Sequence, residues 1–264
     1  MSTLFQRILV ALAACSALSA ANVASLAADA AGAPPAYEVP ADTPSYIRSA
    51  IESPARSAAQ RARDMNRKPA EILMMSGIKP GDRVVEFASF GQYYTTMLSD
   101  IVGPKGHVYM YDLPYTGKRS GAASRAFVAA HPNCEYHLVD YNKLQLPRHV
   151  DIVFIVLYYH DLLLNDIDTS SLNARIFKAL KPGGIFFVVD HNAVPGSGTR
   201  DIKLHRIDPA VIKRQVTAAG FELVEESHLL ANPADDHLQI IFSPSIRGCT
   251  DRTIFEFRKP APLR

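Results

Sequence analysis

The stretch Val84-Val85-Glu86-Phe87-Ala88-Ser89-Phe90-Gly91-Gln92-Tyr93-Tyr94-Thr95 runs an apolar, β-branched segment into an acid, then through a small-residue corner into a helix-like segment. Two readings compete for it. It is a ligand-cradling turn that has lost most of its glycines, or an ordinary strand-to-helix corner. The segments on either side decide the fold around it. Short apolar, β-branched or aromatic runs at 83–88, 106–112, 135–140, 150–158 and 184–190 read as strands, and 92–102, 118–130, 170–180 and 209–219 read as helices between or after them. Ile152 to Leu157 and Ile185 to Val189 are almost unbroken in their apolarity, as strands covered on both faces are. Strict alternation then stops: 221–230 and 253–258 are two strand candidates with no helix between them. The expectation is a doubly wound, mostly parallel Rossmann-like α/β sheet with helices on both faces and an antiparallel C-terminal edge.

The body of this domain is expected over 83–264, preceded by N-terminal helices over 45–82, in which Gly77 supplies a left-handed stop before Lys79-Pro80-Gly81-Asp82. Residues 31–44 carry four prolines and read as a linker. Residues 1–30 have the layout of a secretory signal peptide: a basic start at Arg7, an apolar segment from Ile8, then an Ala/Ser tract. Cleavage after the triplet Ala28-Asp29-Ala30 is one outcome. Lipidation of Cys15, at the end of the lipobox-like Leu12-Ala13-Ala14-Cys15, is the other, and would tether the chain to a membrane. An exported, periplasmic or envelope-anchored protein follows from either. In that compartment Cys134 and Cys249 form one disulfide or remain two free thiols.

A net charge of +2 is too small, and the basic residues too scattered, for a nucleic-acid footprint. The densest basic run, Arg61, Arg63, Arg67 and Lys68, has Glu52 and Asp64 nearby and reads as a solvated helix face. No segment suggests a protein partner, so a small-molecule ligand is the expectation.

In an open α/β sheet ligands sit beyond the carboxyl ends of the strands. Those ends carry a series: Glu86, Asp112, Asp140, then His160-Asp161, then Asp190-His191-Asn192. An acid after the second strand can accept hydrogen bonds from both ribose hydroxyls, and one after the third can meet an exocyclic amine, which suits an adenosine-bearing cofactor. The series resembles that of the class I S-adenosylmethionine-dependent methyltransferases, as does Ala179-Leu180-Lys181-Pro182-Gly183-Gly184 leading into the fifth strand. Arg67-Lys68-Pro69, Tyr159-His160-Asp161, Asp190-His191-Asn192-Ala193, Leu204-His205-Arg206-Ile207-Asp208, Ala219-Gly220-Phe221 and Phe257-Arg258-Lys259-Pro260 are similar, more narrowly, to a bacterial family of predicted, often exported, methyltransferases.

The resemblance implies S-adenosylmethionine held by Glu86, Ala88, Phe90, Gly91, Tyr93, Asp112 and Asp140. Family members resemble a Pro-Gly-Gly-Gly-Trp-Tyr-Thr turn where this chain has Ser89-Phe90-Gly91-Gln92-Tyr93-Tyr94-Thr95. Only Gly91 is kept, and Phe90 sets a ring where bare backbone is expected, which weakens the expected cofactor affinity. Methyl transfer needs in-line positioning, and a base only where the acceptor must lose a proton. His160 and His191 are base candidates, Asp161 or Asp190 their orienting carboxylates, and His205 a third histidine nearby. A divalent metal is an alternative that is not favoured. Catechol-type methyltransferases hold magnesium with an acid after the fourth strand and an Asp-Asn pair after the fifth, and Asp161, Asp190 and Asn192 fall in similar places, though His191 interrupts the pair. A third expectation is a methyltransferase-like binding protein without turnover.

Overall fold

The computed structural model describes residues 37–261, so the signal-peptide, lipobox and Cys15 readings, and most of the proposed linker, lie outside the described residues. Four short helices come first: α1 (Ser45–Glu52), α2 (Ala58–Arg61), α3 (Asp64–Arg67) and α4 (Pro69–Met75). They are set by local signals. Ser57 and Gln60 form a reciprocal capping box at α2, and Pro69 opens α4 where its missing N–H costs nothing.

The alternating body follows as β1 (Arg83–Phe87), α5 (Tyr93–Val102), β2 (His107–Asp112), α6 (Gly117–Ala130), β3 (Cys134–Leu138), β4 (Val150–Val156), α7 (Tyr159–Leu164), α8 (Thr169–Ala179), β5 (Leu180–His191), α9 (Pro209–Ala218), β6 (Glu222–Ser227) and β7 (Arg252–Arg258). The seven strands lie in the order β3-β2-β1-β4-β5-β7-β6. β1 through β5 pair in parallel, and β7 is antiparallel to both β5 and β6. The reversed strand therefore sits one place in from the edge.

Two apolar layers sandwich the sheet. On one face Val85, Val153, Ile155, Phe186, Val188 and Phe255 pack with α8 and α9. On the other, Val84, Ile152, Phe154, Phe187 and Val189 pack with α5 and with Ile47, Ile51, Ile72 and Leu73 of the N-terminal helices. Each such side chain, fully buried, contributes about 1.5–3 kcal/mol. The continuous apolarity of β4 and β5 is the signature of this double coverage.

Several boundaries differ from the sequence reading. β3 ends at Leu138, so Asp140 lies in the following loop. β4 stops at Val156, and Tyr159 to Leu164 form α7, so His160 and Asp161 ride on a helix start instead of a strand end. β5 begins already at Leu180, with a bulge against β4 between Val150 and Ile152. Between β6 and β7 the chain makes a long excursion over 228–251, which folds back over the strand ends. Cys134 and Cys249 are free thiols, the first buried and the second exposed, so the disulfide reading does not hold. Among the described residues no helix is long and apolar enough to cross a membrane.

Candidate active site

The rim of the sheet above the carboxyl ends of β1, β2, β4 and β5 divides into two parts. In the first, the β1 corner turns through three consecutive constraints: Ala88 at φ 58°, Gly91 at φ 85° and Gln92 at φ 46°. Left-handed backbone at Ala88 and Gln92 costs on the order of 1 kcal/mol each, and such strain gathers at ligand sites. The Asp112 carboxylate fixes the corner, accepting from the Ser89 backbone N–H at 2.8 Å and the Ser89 hydroxyl at 3.1 Å through Oδ1. Its other oxygen, Oδ2, is buried without a partner. Thr95 donates its hydroxyl to Glu86 Oε2 at 2.6 Å. Burial outweighs that bond and pushes Glu86 up to about 8, so it is protonated at neutral pH. Burial likewise raises Asp112, against the Ser89 bonds that favour its charge.

Phe90 does not point away. Its ring lies edge-on to Tyr158 at 5.8 Å, with the Arg119 guanidinium 5.6 Å from its centroid, and the Tyr158 hydroxyl meets that of Tyr115 at 3.2 Å. The cavity left between Glu86, Ala88, Phe90, Tyr93 and Leu157 holds about 90 Å³, well under the roughly 300 Å³ of a small ligand site. Asp140 is not in it. Its carboxylate accepts from the Asn142 backbone N–H at 2.9 Å, an ordinary Asx turn, so the expected role toward an exocyclic amine finds no support in its position.

The second part is built on β4 and β5. Asp190 is 1% exposed and saturated: it accepts from the His160 backbone N–H at 2.6 Å, the His191 backbone N–H at 2.8 Å and His160 Nδ1 at 2.7 Å. His160 Nε2 lies 3.3 Å from Asp161 Oδ1, and His205 Nδ1 lies 2.8 Å from the same oxygen. Burial alone would lower His160, but the charges of Asp190 and Asp161 overcome it and hold His160 up at about 9. Asp161, which burial would raise, is held down by His160 and His205. A charged imidazolium between two carboxylates has no lone pair to offer, so His160 positions rather than accepts. His191 is the opposite. Burial, with His160, Arg252, Arg206 and Arg67 around it, pushes it well down, so it is neutral; its Nδ1 meets the Thr250 hydroxyl at 2.6 Å, and the ring lines a cavity.

His160, Asp161 and His205 are also the group that can hold a metal. Their ligand atoms lie within 4.8 Å of one another, with Asp190 behind His160 as an outer carboxylate. Asp190 itself is spent on other bonds, and Asn192 is taken by Asp251 and Thr253, so the Asp161–Asp190–Asn192 set does not converge.

The cavity beside His191 holds about 640 Å³ and is bounded by α2–α3, Phe90, Leu157 and the 228–251 excursion. It meets the smaller one at Arg63, Arg67, Phe90 and Leu157. Two buried ion pairs, neither anticipated from sequence, hold its walls. Arg206 reaches Asp235 at 2.9 and 3.0 Å, Asn192 O at 2.9 Å and Gln239 O at 2.8 Å, pinning the excursion to the end of β5. Arg56 pairs with Asp64, which also accepts from the Tyr93 hydroxyl at 2.6 Å, pinning the N-terminal helices to α5. The basic run is not a plain solvated face: Arg63 and Arg67 cover the Tyr93 ring at 4.9 and 4.6 Å and line both cavities, and Lys68 donates to Leu229 O at 2.9 Å.

A solved structure of an S-adenosylmethionine-dependent methyltransferase from Aquifex aeolicus superposes on 79% of this chain and 97% of its own, with a TM-score of 0.56 at 17% identity. The fold is that of the class I S-adenosylmethionine-dependent methyltransferases. A [4+2]-cyclase, SpnF, shares this methyltransferase fold, with a TM-score of 0.55 over 78% of this chain and 84% of its own at 15% identity. The methyltransferase fold alone therefore does not fix a reaction. Sequence adds relatives: the ubiquinone/menaquinone biosynthesis C-methyltransferase UbiE of Ectopseudomonas mendocina is 27% identical over 126 residues, 47% of each chain, and that of Vibrio vulnificus 29% over 163 residues, 61% of this chain and 56% of its own. The chain thus spans about half the length of the curated relatives it matches. No protein-family profile matches it.

Proposed function

We propose that the protein is an S-adenosylmethionine-dependent methyltransferase acting on a small-molecule acceptor. The observation that carries this reading is the junction of the two cavities at Phe90 and Leu157: an acid-bearing β1 corner adjoins a larger cavity holding a neutral histidine. The donor set at the corner fits an adenosyl group. Asp112 Oδ2 is a buried acceptor without a partner that lines neither cavity while Phe90 packs on Tyr158; once that ring moves a ribose hydroxyl would satisfy it, and a neutral Glu86, which does line the smaller cavity, can donate as well as accept. The space fits only once Phe90 leaves Tyr158. When bound, the cofactor supplies an electrophilic methyl group on a sulfonium. His191 accepts a proton from the acceptor where one must leave, with its ring oriented by Thr250. Phe90 and Leu157 form the apolar part of the junction. His160, held charged by Asp190 and Asp161, fixes the end of β4 beside His191 at a ring separation of 5.6 Å.

Titration calorimetry with S-adenosylhomocysteine tests this. Binding to the purified protein, tighter in Phe90→Gly, supports it. Heat absent at millimolar ligand in both proteins overturns it.

Two other readings have specific observations behind them. The filled corner favours a methyltransferase-like binding protein without turnover, in which case S-adenosylhomocysteine binds neither protein while another ligand occupies the larger cavity. The His160–Asp161–His205 trio favours a metal-dependent enzyme, and elemental analysis of the protein purified without chelator would find about one equivalent of metal, abolished in His205→Ala. Export belongs with the same proposal: cell fractionation would place the mature chain in the envelope, and cytosolic recovery at full length would overturn that part.

A further inference from the structure

The larger cavity contains four arginines and no acid: Arg63 and Arg67 on the N-terminal helices, Arg247 in the excursion and Arg252 at the start of β7. Two buried arginines nearby are matched. Arg56 has Asp64 and Arg206 has Asp235, both at hydrogen-bond distance. The four cavity arginines form no ion pair with any carboxylate among the described residues. They are instead held in place by other means. Arg63 and Arg67 stack over Tyr93, and Arg67 reaches Tyr94 at 5.9 Å. Arg252, 6% exposed, donates through Nε to Thr250 O at 2.9 Å and is the cross-strand partner of His191. Burial lowers Arg252, and the charge of Arg67 adds to that, so the cations are crowded as well as unpaired.

Clustering like charges on a low-dielectric wall costs free energy that a bound anion would recover, and a planar guanidinium suits a carboxylate or phosphate better than any other group. Apart from Asn66, His191 and Gly248, the rest of the lining is apolar. Leu157, Ile241 and Phe242 face the space, and the same excursion exposes Leu238, Ile240 and Phe242 at 67%, 40% and 51%. A volume near 640 Å³ is that of a site for a molecule well beyond a bare ion.

We infer that this cavity binds an amphiphilic organic anion, a carboxylate or phosphate carried on an apolar body, and that this anion is the methyl acceptor. The anionic head sits between Arg247 and Arg252, the body lies along Phe242 and Ile241, and the atom to be methylated lies toward His191 and Leu157. The acceptor assignment rests on the methyl-transfer reading above; the anion site does not. The surrounding cations also lower the basicity required of His191, by stabilising the negative charge that develops on the acceptor as it loses its proton.

Phenyl phosphate, as a probe, is titrated into the intact protein and into Arg247→Gln, with phenyltrimethylammonium as the cation of matching shape. The expected result is binding of phenyl phosphate, about tenfold weaker in Arg247→Gln and weaker again at higher salt, with no binding of the cation. Arg247 is exposed and bonds no other side chain, so this variant keeps the fold; Arg252→Lys, which retains charge but loses the planar fork, is expected to weaken binding by a similar factor. Equal binding to wild type and Arg247→Gln, or comparable binding of the cation, overturns the site. The two readings fail separately. Phenyl phosphate binding without S-adenosylhomocysteine binding keeps the anion site and removes methyl transfer. If S-adenosylhomocysteine binds and displaces phenyl phosphate, the arginines serve the cofactor's own carboxylate and the acceptor proposal is overturned.

Discussion

The two parts of the rim differ in how their polar groups are satisfied. Over β1 and β2 nearly every group is answered by the chain itself: Ser89 holds Asp112, Thr95 holds Glu86, and Phe90 closes against Tyr158. Over β4 and β5 the carboxylates are equally spent, but a wide cavity remains, with four unpaired cations and a neutral histidine in its wall. The lesson is that the acids that look most like a ligand signature are, with no ligand bound, largely tied to their own chain, Asp112 Oδ2 excepted. Of the residues with chemistry to spare, His191 and Arg252 sit on β5 and β7, while Arg63, Arg67 and Arg247 come from outside the sheet, from the N-terminal helical region and the 228–251 excursion.

The contrast breaks most severely if the excursion is released. Arg206→Met leaves Asp235, whose side chain is 1% exposed, without its counter-charge, and removing one partner of a buried pair costs about 3–5 kcal/mol. Urea unfolding is expected to show that loss, with proteolytic cleavage appearing first within 228–251; a loss under about 1 kcal/mol would mean that the clamp does not hold the cavity wall.

The closed half has a pH signature. Glu86 ionises near 4.5 when unfolded and near 8 when folded, so between those values the folded state holds a proton that the unfolded state does not. Stability therefore falls as pH rises through this window, by at most about 1.4 kcal/mol per pH unit. Glu86→Gln, which mimics the protonated acid, is expected to flatten that fall in a series of melts from pH 5 to pH 8. An unchanged slope would show Glu86 to be ionised and open to solvent or ligand.

Phe90→Gly sharpens the comparison by opening the closed half, and should raise S-adenosylhomocysteine affinity about tenfold while changing phenyl phosphate affinity far less, since Phe90 also lines the larger cavity but the arginines that hold the anion are untouched. The smallest effect is expected at the hinge between the parts. Tyr93→Phe removes one bond to Asp64, which keeps both of its bonds from Arg56, and should cost about 1 kcal/mol in thermal unfolding. A cost several times larger would make Tyr93 a member of the site and not only its floor.

Much of this architecture could be read from residue patterns, because the signals involved are local. The apolar runs of β4 and β5 announce strands buried on both faces, and Phe90 announces a corner that has lost its bare backbone, though not where its ring lies. What could not be read depends on partners far apart in the chain. Helix α7 was hidden because Tyr158-Tyr159 and Leu162 to Leu164 continue the apolar composition of β4 on either side of His160-Asp161. Asp140 looked like the other strand-end acids, yet β3 is the outermost strand beyond β2, and its following loop turns on itself. Arg63, the residue before α3, and Arg67, its last, are four apart and share a side by spacing alone; that both meet Tyr93 is a tertiary fact. The Arg206–Asp235 pair joins segments that no periodicity connects.

The central claim is that the β1 corner retains an adenosyl site that Phe90 keeps shut. A crystal structure of Phe90→Gly grown with S-adenosylhomocysteine tests it most directly. The account predicts the adenosine at the corner, with a ribose hydroxyl on Asp112 and the arginine cavity free for a second ligand. Adenosine lying among Arg67, Arg247 and Arg252, with Asp112 still bound only to Ser89, would contradict it.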